Sequence, residues 1–342
     1  VYRGQGDMGV ARAGSHKPGY TPGIDIRAKV TVLAEGARGH LTKRLVKRFD
    51  LDADSDPQSY SIGIKELWQV PEGRVVPGRI VHTLGWPADN RTYGGSFLYH
   101  LDNNQVALGY VSGLDSADPH YKPWEAFQQW KNHPLIKPLL EGGSILSAGA
   151  RAIVTGGWQA LPRVEMPGAL LIGDTAGLLN VPKIKGTHQA LRSGMLAAEH
   201  LAANALDTAG FDARLRASPV MAELRKVRTI KPGFTKGLWF GMANAAWETV
   251  TGGASPWTLK NTPDFAALQR LNEAASPRRD YVQRTLPPRD RLQGVYFAAT
   301  AHDEDQPVHL KVADTSICVD RCTCPLHTSD PAGEQKGARC GA

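Results

Sequence analysis

Residues Leu170-Leu171-Ile172-Gly173-Asp174-Thr175-Ala176-Gly177 decide how this chain is read. Ala169 to Gly173 form a short apolar run bounded by turn residues, the pattern of a buried strand rather than a helix. A helix pattern follows over Thr187–Ala205, rich in Ala and Leu with little β-branching. A buried strand that ends in Gly-Asp before a helix sets a carboxylate at the carboxyl edge of a parallel sheet, where ligands of open α/β folds bind. The same Asp174 also reads as an acidic helix N-cap, and the residues leave both uses open.

Upstream, Ala28–Ala34 is a second β-branched and apolar strand pattern. It runs into the turn Glu35-Gly36-Ala37-Arg38-Gly39 and then a basic amphipathic helix over Leu41–Phe49. Between these two strand–helix segments, residues 60–112 alternate short β-like runs with turns, as in Ile80–Leu84, Ser96–His100 and Gln105–Tyr110. Asn103-Asn104 suits a hairpin turn, so this block predicts a mostly antiparallel sheet. Residues Pro123–Leu140 are helical with a break at Pro134, and the chain beyond residue 209 is helical and basic, then Pro- and charge-rich over 276–292. A β-block set between two strand–helix segments predicts a nucleotide-binding domain interrupted by a substrate domain. Gly4-Gln5-Gly6-Asp7-Met8-Gly9 has the spelling of a dinucleotide fingerprint, but that motif needs a strand before it and a helix after it. Only three residues precede it and a loop-like stretch comes next, so it reads as a plain turn.

The 342 residues are 42% hydrophobic and 21% charged, an ordinary globular composition for about two domains. The net charge of +7 suits an acidic partner, an anionic membrane surface or nucleic acid, but no zinc-finger spacing or RNA-binding aromatic motif supports the last. No apolar run is long enough to span a bilayer. The chain begins at Val1 without a basic-then-apolar leader, so no signal peptide is read and further N-terminal sequence is expected. Cys318, Cys322, Cys324 and Cys340 all lie at the C-terminal end, which leaves the body free of disulfides and fits a reducing compartment.

The run Leu179-Asn180-Val181-Pro182-Lys183-Ile184-Lys185-Gly186-Thr187-His188-Gln189, continuing to Glu199, closely resembles the signature of electron-transfer flavoprotein:ubiquinone oxidoreductases. The likeness extends to Ala34–Leu41, Tyr93–His100, Gly149-Ala150-Arg151, Gly156–Gln159, Pro256–Lys260 and His302–Leu310, and so covers roughly residues 1–322. The resemblance implies an α/β fold: an FAD-binding domain of glutathione-reductase type interrupted by a β-rich quinone-binding domain, with a remnant of a ferredoxin-like cluster domain. The expected divisions are 1–50 and 149–208 for the FAD-binding domain, 51–148 for the quinone domain, 209–300 for a helical membrane-surface region and 301–342 for an incomplete iron–sulfur domain.

The resemblance also implies FAD against Glu35, Gly36, Gly173, Asp174, Gly177, Lys185, Gly186 and Thr187, and ubiquinone against the paired Gly94 and Gly95. A helix start at Gly186-Thr187 would favour a flavin that becomes anionic on reduction. Lys183 and Lys185 add positive charge, although each also reads as a solvated loop lysine. Without the family, Gly94-Gly95 reads as a bulge or tight turn, and His82 and His100 read as structural. The Gly233–Val250 stretch, with Trp239, Phe240, Met242 and Trp247 at helical spacing and Lys226, Arg228, Lys231, Lys236 and Lys260 around it, suits either a membrane-surface helix with cationic anchors or a buried core helix.

In the family, reduced electron-transfer flavoprotein gives electrons singly to FAD and a [4Fe-4S] cluster, which relay them to ubiquinone at the inner face of a respiratory membrane, on the bacterial cytoplasmic or mitochondrial matrix side. No catalytic nucleophile or acid–base set is needed, and none is read. The family's cluster ligands lie in a Phe-Cys-Pro-Ala segment and a Cys-x-x-Cys-x-x-Cys run. Here Cys318 and Cys322 match positions ahead of those ligands, and the text after Cys324 matches nothing expected, so the ligand segment is read as missing. The alternatives are a flavin reductase or hydroxylase of the geranylgeranyl-reductase type, which shares the Gly-Asp motif, or an inactive gene fragment.

Overall fold

A computed structural model of the chain describes residues 2–269, 291–300 and 302–307. Four strands come first: β1 (Tyr2–Gln5), β2 (Met8–Val10), β3 (His16–Thr21) and β4 (Ile24–Ile26). They pair antiparallel as β1–β4 and β2–β3. The Gly4–Gly9 stretch therefore joins two strands, and it leads into the β2–β3 hairpin rather than the expected loop. Strands, not a helix, come directly after it, so a fingerprint geometry is absent at this place.

Next come β5 (Thr31–Leu33) and α1 (His40–Phe49), and then a large sheet built from β6 (Tyr60–Gln69), β7 (Ile80–Leu84), β8 (Gly94–His100), β9 (Gln105–Gly113) and, after α2 (Pro123–Lys131) and α3 (Lys137–Leu140), β10 (Ser144–Val154). Its order is β10-β6-β9-β8-β7, antiparallel throughout. Asn103 and Asn104 both take positive φ, 56° and 55°, the conformation a tight hairpin needs to match strand twist. The long β10 does not stand out as a separate run in the sequence; it crosses the boundary expected at 148 and pairs with β6 as far as Val154.

The chain then returns through β11 (Glu165–Met166), β12 (Ala169–Leu171), α4 (Gly173–Ala176) and α5 (Thr187–Ala203). It continues into α6 (Phe211–Arg216), α7 (Pro219–Lys226), α8 (Ile230–Phe234), α9 (Leu238–Thr251) and α10 (Arg291–Phe297). Strand β12 pairs parallel with β5, with Leu33 opposite Leu171, so the two strand–helix segments on either side of the large sheet share one small sheet. The architecture is a mixed α/β one.

The three-stranded and the five-stranded sheet each have their own core. Leu33, Leu45, Val164, Leu170, Leu171, Leu178, Phe211, Leu215 and Met221 pack around the small sheet. Tyr110, Leu98, Leu108, Phe127 and Trp130 fill the space between the large sheet and α2. The second core also encloses an ion pair. Lys131 Nζ lies 2.8 Å from Glu66 Oε2, the two side chains are 3% and 0% exposed, and Trp68 Nε1 donates to the same oxygen at 2.8 Å. The ammonium also sits over the Trp68 and Phe127 rings, at 5.2 and 5.1 Å from their centroids.

Removing one partner of a buried pair strands the other charge in a poorly solvating interior. Glu66→Leu is therefore expected to lower unfolding free energy by about 3–5 kcal/mol in a denaturant titration. The double change Glu66→Leu with Lys131→Met should recover a large part of that loss, and equal losses for the single and double variants would contradict it.

Candidate functional site

The parallel pairing of β5 and β12 places the ends of both strands side by side. Ile172 N–H donates to Leu33 O at 3.1 Å, one residue past the last register pair. Beyond that point the two loops are tied by Thr175, whose Oγ1 accepts from Gly36 N–H at 2.8 Å and donates to Gly36 O at 3.3 Å. A side chain at Gly36 would point into open space. At the far end of the turn, Gly177 has φ +90°, and a Cβ there would sit 2.8 Å from Gln58 Nε2. Only glycine suits that position.

Asp174 is the chemically distinctive residue here. Its Oδ1 is buried with no hydrogen-bond partner among the described residues. Burial pushes its carboxyl above the usual range. A Cβ at Gly186, the residue before α5, would lie 3.1 Å from that oxygen and 2.8 Å from Leu179 Cδ1, so the start of α5 abuts Asp174 directly. That helix has seventeen residues and no side-chain cap, leaving its first N–H groups for other acceptors. Gly173 N–H donates to Ser193 Oγ at 3.0 Å, which fastens the strand end to the same helix. The arrangement offers an oxygen seeking a hydroxyl donor beside amides seeking an anion.

The lysine loop is closed by backbone bonds between Asn180 and Lys185. Lys183 is engaged with another partner, its Nζ bonding Glu223 Oε1 at 3.0 Å. The same oxygen also meets Asn180 Nδ2 at 2.7 Å and His188 Nε2 at 3.1 Å. Burial would raise the Glu223 carboxyl, but these three partners outweigh it and hold it at about 2. Lys185 and Thr187 are exposed. Glu35 differs from its expected role. Its Oε1 accepts from Leu41 N–H at 3.1 Å, and its Oε2 accepts from Thr42 N–H at 2.8 Å and Thr42 Oγ1 at 2.6 Å, so the carboxylate is occupied in capping α1. Sequence reasoning misses Thr175, Gln58 and Glu223. Thr175 lies inside the deciding run, but no spacing rule marks it, and the other two join the site from distant elements.

Gly94 and Gly95 separate. A Cβ at Gly94 would stand 2.6 Å from Val111 O, and one at Gly95 2.5 Å from Thr83 O, so close strand packing alone demands both glycines. Gly94 in addition lines a narrow recess with Tyr93, Phe234 and Leu238. Next to it opens a cavity of about 670 Å³ between Tyr93, Asp115 and the α8–α9 corner, walled by Phe234, Leu238, Trp239 and Phe240. His100 accepts from Val76 N–H at 3.1 Å, and His82 packs edge-on against Tyr99, both structural uses.

Helix α9 is built inside out. Trp239 is 78% exposed and Val250 87%, with Phe240, Met242 and Trp247 also exposed. Gly241, Asn244 and Glu248 face inward instead. Its expected cationic anchors divide. Lys226, Lys236 and Lys260 are exposed. Arg228 is buried, with hydrogen bonds to the carbonyls of Arg225, Gly253, Ser255 and Trp257, and Lys231 is buried against Asp115, so neither can reach an external surface. No helix of the described residues is long and apolar enough to cross a membrane, and no cluster of His, Cys, Asp and Glu among them could hold a metal. The four cysteines lie outside the described residues.

Comparison with known proteins gives two family matches. The ETF-QO ubiquinone-binding model covers residues 60–153, and the electron transfer flavoprotein-ubiquinone oxidoreductase 4Fe-4S model covers residues 287–330. The electron transfer flavoprotein-ubiquinone oxidoreductase of Pseudomonas aeruginosa is 43% identical over 96% of this chain and 61% of its own length. The mitochondrial protein of Homo sapiens is 43% identical over 92% of the chain and 54% of its own. The chain thus spans between half and two thirds of the length of these curated relatives. A geranylgeranyl bacteriochlorophyll reductase-like structure from Thermoplasma acidophilum matches with a TM-score of 0.47 and 16% identity over 72% of this chain and 54% of its own, a likeness too slight to bear on fold or function.

The Glu223 cluster sets a pH dependence. A carboxyl held at about 2 when folded, against an ordinary 4.5, contributes stability above the ordinary value that is lost as pH falls from about 4.5 toward 2. Lys183 and His188 stand largely in solvent, whose screening cuts the contribution to on the order of 1 kcal/mol. Glu223→Gln should flatten the stability profile over that acid window, and an unchanged profile would show that the cluster is not formed in solution.

Proposed function

Since the chain belongs to the electron transfer flavoprotein-ubiquinone oxidoreductase family, we propose that it forms the flavin-ring and quinone side of an enzyme that carries electrons from reduced electron-transfer flavoprotein to ubiquinone. The observation that carries this reading is the buried, unpartnered Asp174 Oδ1 set against the uncapped start of α5. That pair fits a flavin: the carboxylate accepts a ribityl hydroxyl, and the α5 amides face the part of the ring system that gains negative charge. Gly36, Gly173, Gly177 and Gly186 keep side chains out of the space, and Lys185 and Thr187 border it at the α5 end. Bound FAD supplies the electron-carrying chemistry; the protein's part is to hold, orient and electrostatically tune it. Glu35 contributes by shaping the turn rather than by contact through its carboxylate.

The domain plan accords with the same reading: residues 1–50 and 149–208 as the FAD-binding part, the large sheet as the quinone domain, and 209–300 as the membrane-surface region. The cavity beside Gly94, with its aromatic and aliphatic wall, takes the ubiquinone ring. The outward apolar face of α9, flanked by Lys226, Lys236 and Lys260, lies in the headgroup layer at the inner face of a respiratory membrane. A [4Fe-4S] cluster belongs to the family, and the matched segment 287–330 contains Cys318, Cys322 and Cys324, but no ligand is assigned among them because they lie outside the described residues. No observation favours the geranylgeranyl-reductase alternative over this reading.

Two outcomes are expected. Asp174→Ala should weaken FAD binding about tenfold in a fluorescence titration, the worth of one hydrogen bond to a buried carboxylate; unaltered affinity would remove Asp174 from the flavin site. Trp239→Asp with Trp247→Asp should reduce sedimentation with anionic phosphatidylserine vesicles, and Lys236→Glu should reduce it most at low salt. A helix buried against another protein part would leave both measurements unmoved.

A further inference from the structure

The cavity beside Gly94 encloses a chemical problem that its walls address. On the quinone reading, on which this inference rests, each ring gains two electrons from the enzyme's reductant and two protons, and both carbonyl oxygens become hydroxyls. The new hydroxyls need an acceptor at hand. The titratable side chains lining the 670 Å³ cavity are Arg91, Tyr93, Asp115 and Lys236. Arg91 does not release its proton at any ordinary pH. Lys236 is exposed and lies over Phe240, 5.1 Å from the ring centroid. Tyr93 is pushed up to about 12, chiefly by burial and then by the neighbouring Asp115 charge, so its phenol keeps its proton and serves as a hydrogen-bond donor.

Asp115 remains, and it is fixed with unusual care. Lys231, buried on α8, donates from Nζ to Asp115 Oδ2 at 2.9 Å and to Ser59 Oγ at 3.1 Å. Ser59 is in turn 3.1 Å from Thr155 Oγ1. Asp115 Oδ1 has no hydrogen-bond partner among the described residues. Glycine at 113 makes room for it, since a Cβ there would collide with that oxygen. One carboxylate oxygen is thus anchored and the other is left to accept from a ligand.

We infer that Asp115, positioned by Lys231, is the carboxylate that recognises a hydroxyl of the reduced quinone ring in this cavity. As the electrons arrive and the ring C=O π bonds open, each ring oxygen takes a proton from water: a water O–H bond breaks as the ring O–H bond forms, and hydroxide leaves to solvent at the open side of the cavity. The Asp115 carboxylate stays paired with Lys231 throughout. It accepts a hydrogen bond from the new hydroxyl that a ring carbonyl cannot give, so it distinguishes hydroquinone from quinone.

The test uses the full chain, decylubiquinone and decylubiquinol, with binding read from quenching of tryptophan fluorescence, since Trp239 lines the cavity. Asp115→Asn is expected to lower hydroquinone affinity about tenfold relative to quinone affinity, because a charge-assisted acceptor becomes a neutral one. Asp115→Glu should keep the ratio nearer that of the unaltered chain. Equal losses for both ligands, or an unchanged ratio, would reduce Asp115 to a strut for α8 and overturn the inference. Should Asp115→Asn not fold, the infrared difference spectrum of the unaltered protein between its quinone- and hydroquinone-bound forms decides: a shifted carboxyl band is expected, and its absence overturns. If the unaltered chain binds neither ligand, the quinone reading itself fails, a result distinct from both.

Discussion

The short parallel pairing of β12 with β5 is the constraint on which the site depends. Three register pairs are too few to hold two distant chain segments by hydrogen bonds alone. Their staying power comes from burial: Leu33, Leu170 and Leu171 are almost wholly enclosed, and each such side chain contributes roughly 1.5–3 kcal/mol when taken from water. Once these strands lie side by side, their carboxyl ends must coincide, and the Thr175–Gly36 bonds join the two loops into one rim. The large antiparallel sheet departs after α1 and returns before β11, so its own register places no strain on this junction.

Charge burial is the second organising feature. The Glu66–Lys131 and Asp115–Lys231 pairs and the many-bonded Arg228 put four cationic and anionic side chains and a guanidinium where water is scarce. Such groups are tolerated only when their partners are complete. That requirement bears on the polar inward side of α9. Arg228 and Lys231 find acceptors across the fold, and Asn244 on α9 turns inward, its Nδ2 donating to Thr229 O at 2.9 Å. The aromatic and aliphatic residues of α9 are left facing outward.

The strand–turn–helix units and the hairpin strands are legible in the sequence because they depend on local periodicity and on turn residues such as Asn103-Asn104, whose positive φ is nearly a property of the residue type. Strand β10 is hidden because Ser144–Val154 carries Ala and Gly among its β-formers and has no clean alternation. The adjacency of Asp174 and Gly186 is legible as a consequence of the family pattern. Glu35 is not, since an acidic side chain after a strand can equally cap the next helix, and only the folded chain shows that it does so. Arg228 and Lys231 read as surface anchors for a related reason: a sequence displays charge but not the carbonyls or carboxylate that await it across the fold.

These features meet at the α8–α9 corner. The residues that give α9 its outward apolar face, Trp239 and Phe240, also wall the cavity whose inner wall carries Tyr93 and Asp115. A lipid-soluble ring on the proposed pathway would therefore leave an apolar surface, pass Trp239 and Phe240, and reach the wall that carries Tyr93 and Asp115. A cavity opening on the polar side of α9 would force such a ligand through water first. The inverted helix thus turns its polar side inward, and the same inversion gives the cavity an entrance matched to a hydrophobic substrate.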